Sequence, residues 1–317
     1  MSIRTPSRVR IAIASLGLTL FALVGAPGTV AASAPTIQPP AAATATWSHN
    51  PASSTGPQVW SSLDPAWTAC ANTEGQSPVV VTTTVPTRLP ALRVDYPRTP
   101  LLVENTGHVV EVPEPAAGGG TLIVGHDGRH DGASTAVVTQ RPEGVDATYR
   151  LQQWHIHAPA EHVVNGHRAD LEIHLVHTDA QGHTAVLAVF ADFVAGQRGS
   201  AASAATHLLR SVLRAAPETA GEETDLHRTV STAVLLGAGH STRAKVSKYL
   251  TYTGSLTTPP CTGGVQWFLL PQVITIDPAA VDDLHALVAT FPGDGGYPDN
   301  NRPVQPLGSR TVANAGG

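Results

Sequence analysis

Gln153-Trp154-His155-Ile156-His157 is the stretch on which the reading of this chain turns. Side chains two apart on a β-strand point to the same face. Gln153, His155 and His157 therefore line one face, and Trp154 and Ile156 the other. Two imidazoles side by side are half a metal site, and the other half is expected on a neighbouring strand. Asp170-Leu171-Glu172-Ile173-His174-Leu175-Val176 is the candidate, because Glu172, His174 and Val176 share a face there. The spacing from His157 to His174 leaves room for two strands and a loop. Three histidine ligands leave one coordination position open, which separates a catalytic zinc site from a closed structural one. Taken alone, the pair is more readily read as two surface residues on an edge strand. The chain has 15 histidines, so any single one is weak evidence.

The bulk properties bound the alternatives. With 317 residues, 42% hydrophobic and 14% charged, the chain suits one large globular domain and not a disordered protein. The 26 prolines and 29 glycines imply much loop and turn around the regular elements. Net charge is −5 and no basic face is evident, so nucleic acid is not an expected partner. Arg4, Arg8 and Arg10, an apolar run from Ile11 to Val24 and Ala32-Ser33-Ala34 read as a secretory signal over residues 1–34. The apolar run is shorter than the roughly 20 residues of a membrane span. A secreted or periplasmic protein without a stable membrane anchor after cleavage is expected. Cys70 and Cys261 are far apart and in no metal-type spacing. In an exported protein they read most simply as one disulfide, with two buried thiols as the alternative.

Residues 35–46 are rich in Pro, Ala and Thr and read as a disordered lead-in. The folded domain is expected over 47–312, with 313–317 a short tail. Strand-like runs are Val79 to Val85, Leu101 to Glu104, His108 to Val112, Leu122 to Val124, Tyr149 to His157, Ala169 to His177, Thr184 to Val194 and Val265 to Leu270. The run from Thr184 is apolar throughout and reads as a central strand. Helices are expected over Ala201 to Ala215, stopped by Pro217, and after an Asp277-Pro278 start. The fold class is therefore mixed α/β but β-rich. A single domain forms around a large, mostly antiparallel twisted β-sheet with a few peripheral helices.

A set of short motifs then carries a resemblance. These are Gly75-Gln76-Ser77-Pro78, Asn105-Thr106-Gly107-His108, Tyr149 through His157, Ala160-Glu161-His162, Glu172 through His177, Tyr252 through Cys261 and Asn300 through Pro306. In this order they resemble an α-class carbonic anhydrase of the bacterial secreted type, over about Trp47 to Val312. The resemblance implies reversible hydration of CO₂ to bicarbonate and a proton, by attack of zinc-bound hydroxide. It implies zinc as cofactor, with His155, His157 and His174 as ligands. Gln153, Glu172 and the backbone of Asn300 are the groups that would orient them. Bacterial relatives are often dimers, so a homodimer is an expectation.

The same resemblance places Glu161 as acceptor for the Thr257 hydroxyl, which in turn aims the nucleophile. Val176, Val186, Leu256, Val265 and Trp267, with Thr257 and Thr258, would line the place of the small apolar substrate. For the wall residues, plain core packing is an equal reading. His108 falls where a proton shuttle is often found, a role suited to a group titrating near 7. His162 and His177 read as structural. Glu111 stands where an amide is usual and His49 where a tyrosine is usual, and both bear on the proton route. Two other functions remain as alternatives. A non-catalytic binding or adhesion module on the same fold would be expected to lack ligand histidines. A zinc peptidase would be expected to carry His-Glu-x-x-His, which this chain does not.

Overall fold

Strand β10 (Thr184–Phe193) is buried along most of its length, and the sheet is built outward from it. The computed structural model describes residues 46–116, 118–125, 146–193, 204–276 and 278–315. The proposed signal, all of the lead-in but its last residue, His126, His130 and the Asp277 cap lie outside them. On one side β10 pairs antiparallel with β9 (Leu171–Thr178), which pairs antiparallel with β7 (Ala147–His157). β5 (Val110–Pro113), β4 (Thr99–Asn105) and β11 (Glu223–Val230) continue that side. On the other side β10 runs parallel to β14 (Gly263–Ile276), followed by β13 (Leu250–Ser255), β15 (Ala313–Asn314) and β2 (Val85–Pro86). A branch from β7 adds β6 (Thr121–Val124), β3 (Leu92–Asp95) and β12 (Arg243–Val246). These 13 strands form one sheet, antiparallel except at β10–β14 and β15–β2. β1 (Val80–Val81) and β8 (Val163–Val164) make a separate parallel pair.

The two faces of the sheet differ in chemistry. Trp154, Ile156, Ile173, Leu175, Leu187, Val189, Phe268 and Leu270 join the main core on one face. The helices Ala204–Ala215 and Pro278–Val288 cover it with Leu208, Leu209, Val212, Leu284 and Val288. A bulge at Gln152 sets the other face. Leu151 pairs with His177, yet Gln153 already pairs with Val176. The extra residue turns the alternation over. Leu151 thus stays in the core while Gln153, His155 and His157 point the opposite way.

Several expectations on element boundaries change. Val79 to Val85 is not one strand. Val80–Val81 serves the small sheet and Val85–Pro86 the large one, with Thr82 to Thr84 unpaired between them. Ala313–Asn314, expected as the start of a tail, forms β15 between β13 and β2. β3, β11 and β12 were not among the expected strands, although Leu92-Arg93-Val94-Asp95 alternates buried and outward-facing residues. β11 and β12 are edge strands in which no residue is fully buried. Cys70 and Cys261 form the disulfide, with Cα atoms 5.0 Å apart. They pack with Trp47, Trp60 and Trp67 in a separate N-terminal cluster.

Candidate active site

Register brings the three histidines together. His155 stands directly across from His174, and His157 across from Glu172. The imidazole centroids are 5.0 Å (155–157), 5.1 Å (155–174) and 4.6 Å (157–174) apart. One nitrogen from each ring falls within 4.8 Å of the others.

Each ring is fixed by an acceptor. His155 Nδ1 lies 2.8 Å from Gln153 Oε1, His157 Nδ1 lies 2.7 Å from the Asn300 carbonyl, and His174 Nε2 lies 2.8 Å from Glu172 Oε1. All three acceptors are oxygens that cannot donate, so these nitrogens carry the protons. Lone pairs are left on Nε2 of His155, Nε2 of His157 and Nδ1 of His174. Asn300 is itself locked to the end of β7. Its Oδ1 accepts from Ala158 N (2.8 Å), and its Nδ2 donates to the Ile156 carbonyl (3.0 Å).

Burial holds His155 well below the usual imidazole range, helped by repulsion from His157 and His174. It also lowers His157, against the pull of Glu161. These two rings are therefore neutral at pH 7, as metal ligation requires. His157 Nε2 is buried and has no hydrogen-bond partner. A buried imidazole lone pair without a donor, beside the free ring nitrogens of His155 and His174, fits a borderline-soft divalent ion such as zinc.

Glu172 is the hub beneath the cluster. Its Oε1 accepts from His162 Nδ1 (2.7 Å) and His174 Nε2 (2.8 Å), and its Oε2 from the backbone N–H groups of Glu161 and His162 (2.8 Å each). Burial alone would raise its pKa, but His162 and His174 outweigh that and hold it well below the usual carboxylate range. His162 Nε2 contacts Tyr252 Oη at 2.7 Å, and His177 lies between Tyr96 Oη (2.7 Å) and the Ala185 carbonyl (3.3 Å). Both rings are built into the structure. His162, Glu172 and His174 are also close enough to share an ion, but their facing atoms already bond one another.

Glu161 is fully buried. Its Oε1 accepts from Arg302 N at 2.8 Å, while Oε2 stands 3.7 Å from His157 Nε2 and has no hydrogen-bond partner. The bond expected from Thr257 is not made, although Thr257 is only 5% exposed. The loop carrying Leu256, Thr257 and Thr258 is closed by Cys261 N to Thr258 O (2.8 Å) and Leu256 N to Thr262 O (2.9 Å). Val176, Val186 and Trp267 are cross-strand neighbours on the face of His174, and Val265 precedes Trp267 by two residues on the same strand. The Trp267 ring lies 4.9 Å from that of His174.

The residues expected on the proton route sit in buried surroundings. His108 stacks on Trp47 with centroids 3.7 Å apart, and burial lowers its pKa to about 4, far from the near-neutral value of a free shuttle. Glu111 faces His155 across the strands. Burial, reinforced by Glu104, raises it to about 7, so it is no fixed negative charge. His49 is fully buried, with centroids 6.4 Å from both His157 and His108, and neither of its ring nitrogens has a partner. Sequence reading gave no role to Arg302. Its guanidinium bonds Gln76 Oε1 (2.8 Å) and the carbonyls of Ser77 (2.9 Å) and Cys70 (3.3 Å), over the Trp60 ring. A buried arginine has no periodicity to announce it. The only signal was its place inside the Asn300 to Pro306 motif.

The chain is similar to known proteins over most of its length. Residues 55–316 match the eukaryotic-type carbonic anhydrase family. A carbonic anhydrase of Neisseria gonorrhoeae is 35% identical over 256 residues, covering 81% of this chain and 83% of that protein. Alpha carbonic anhydrase 4 of Arabidopsis thaliana is 30% identical, covering 81% of each. The solved α-carbonic anhydrase of Thermovibrio ammonificans, in complex with sulfanilamide, superposes with a TM-score of 0.67 at 29% identity. That match covers 86% of this chain and all of that one. Family, fold and the convergence of three imidazoles agree, and the chain belongs to the eukaryotic-type carbonic anhydrase family.

Proposed function

We propose that this protein catalyses the reversible hydration of CO₂ to bicarbonate and a proton at a zinc site made by His155, His157 and His174. The observation that carries the reading is the acceptor that fixes each ring, which turns three ring nitrogens toward one point. A zinc ion held there supplies the Lewis acidity that makes water a nucleophile near neutral pH.

The chain's own residues do the rest. Val176, Val186, Leu256, Val265 and Trp267 give CO₂ a dry surface beside the imidazoles, where a polar pocket would hold water instead. The Thr257 hydroxyl both donates and accepts, so it can orient the attacking oxygen toward carbon. Glu161 Oε2 is the free acceptor to which that hydroxyl would turn. Thr258 holds the Thr257 loop in place through its carbonyl. The released proton passes outward by His108, whose burial keeps it a transient carrier and not a store.

The disulfide supports an oxidising compartment, periplasmic or extracellular. A homodimer is part of the proposal and is read by sedimentation. The deciding experiment is metal analysis of the purified protein alongside a CO₂ hydration assay. One zinc per chain, with metal and activity lost together in His157→Ala, is the expected result. Full hydration activity without metal overturns the reading.

A further inference from the structure

Of the 19 basic side chains in this chain, only two are lysine, Lys245 and Lys248, and both line the same cavity. That cavity has a volume of about 510 Å³, within the range of small-molecule sites. Val189, Leu235, Leu270 and Ile274 supply its apolar lining. The first three are buried members of the main core, and Ile274 packs against it. Val189 follows Ala188, which stands across from His174. Neighbours along a strand point to opposite faces, so the cavity opens on the face away from the imidazoles.

Both lysines are exposed members of the lining. Among the described residues no acid lines the cavity and neither lysine has an ion-pair partner. Lys245 instead faces Arg93 across the strands. In a chain of net charge −5 this is a local concentration of positive charge over an apolar floor. Lysine on an edge strand such as β12 also discourages edge-to-edge pairing. That role accounts for Lys245 but not for the cavity, nor for Lys248 beyond the strand's end.

We propose that this cavity binds an amphiphilic organic anion, a medium-chain aliphatic carboxylate. The hydrocarbon would lie along Val189, Leu235, Leu270 and Ile274, and the carboxylate between Lys245 and Lys248. Burial of each methylene tightens binding about fourfold, so decanoate binds about 15-fold more tightly than octanoate.

The test is calorimetric titration of the full chain with decanoate, octanoate and decanol, repeated after chelator treatment to remove any metal as a second carboxylate receptor. Saturable binding of one decanoate per chain, unchanged by chelation and graded by chain length, is expected. In Lys245→Met/Lys248→Met, decanoate should bind no better than decanol. Filling the cavity with Ile274→Trp should abolish binding of both. Absence of saturable binding overturns the proposal, as does binding that neither variant changes or that vanishes on chelation. A double lysine variant that only aggregates, with no decanoate binding by the parent, assigns the lysines to edge protection instead.

Discussion

Replacing Glu172 with glutamine exchanges one oxygen for an amide nitrogen and should move a proton on His174. The carboxylate takes four donors: two ring N–H groups at Oε1 and two backbone N–H groups at Oε2. Glutamine has one acceptor oxygen and one NH₂ group. Turned one way, the NH₂ meets two buried backbone N–H donors, and neither they nor the amide protons find an acceptor. Turned the other way, the oxygen keeps the backbone donors and the NH₂ faces His162 Nδ1 and His174 Nε2. Those nitrogens must then accept, and the His174 proton moves to Nδ1, the atom that faces His155 and His157. Two charge-assisted bonds, each worth about 1.5–3 kcal/mol, become weaker neutral ones. Zinc capture must reverse the tautomer, and affinity should fall about 10- to 100-fold. The measurement is competition for zinc against a chelator of known affinity, with nitrogen NMR of the metal-free imidazoles to find the proton. Zinc affinity equal to the parent in a folded variant, or a His174 proton still on Nε2, refutes the reasoning. The variant also tests linkage. The depressed pKa of Glu172 contributes stability that is present above the ordinary carboxylate value of 4.5 and lost as pH falls toward the folded value. Glu172→Gln should therefore show a shallower loss of stability below about pH 4.5.

Four more outcomes are expected. Thr257→Ala should keep its zinc and lose about 10²-fold in CO₂ hydration, read as kcat with metal content measured on the same sample. Cys70→Ser/Cys261→Ser opens a loop spanning 191 residues of sequence, for which chain entropy gives about 5 kcal/mol and experience about 2–4. With a urea slope of about 3 kcal/mol/M, the unfolding midpoint should fall by about 1 M. Burial holds His177 at about 3 against 6.5 for a free ring, so its stabilisation is full above pH 6.5 and lost as pH falls toward 3. Between pH 6.5 and 5 that is about 2 kcal/mol, and His177→Gln, which can still bridge Tyr96 and Ala185, should remove this slope from denaturation curves. Glu111→Gln removes a carboxyl that becomes negative around pH 7, so the pH midpoint of activity should drop, and an unchanged midpoint denies Glu111 any influence.

The parts of the site that were legible lie where burial leaves a period. His155, His157, Glu172 and His174 follow the two-residue alternation of β7 and β9, so their shared face could be read from the sequence. The apolar run of β10 announced a strand covered on both faces. The bulge at Gln152 could not be read, since an extra residue looks like any other until its partner strand is in register. The edge strands β11 and β12 bury no residue fully, so no apolar run marks them in the sequence. His108 shows a third limit. Its position suggested a near-neutral titration, but its stacking on Trp47 joins residues far apart in the chain, which composition does not encode.

The carbonyl that fixes His157 belongs to Asn300, which follows it by 143 residues. The same late segment delivers the Arg302 N–H to Glu161. During synthesis the strands bearing all three imidazoles emerge well before these partners do. An ion meeting the half-made chain finds His157 free to turn and its lone pair unassigned. Any tight capture of an ion at these rings would therefore wait until residue 300 has folded back onto β7. A chain cut short before it would be left metal-poor even with every ligand histidine in place.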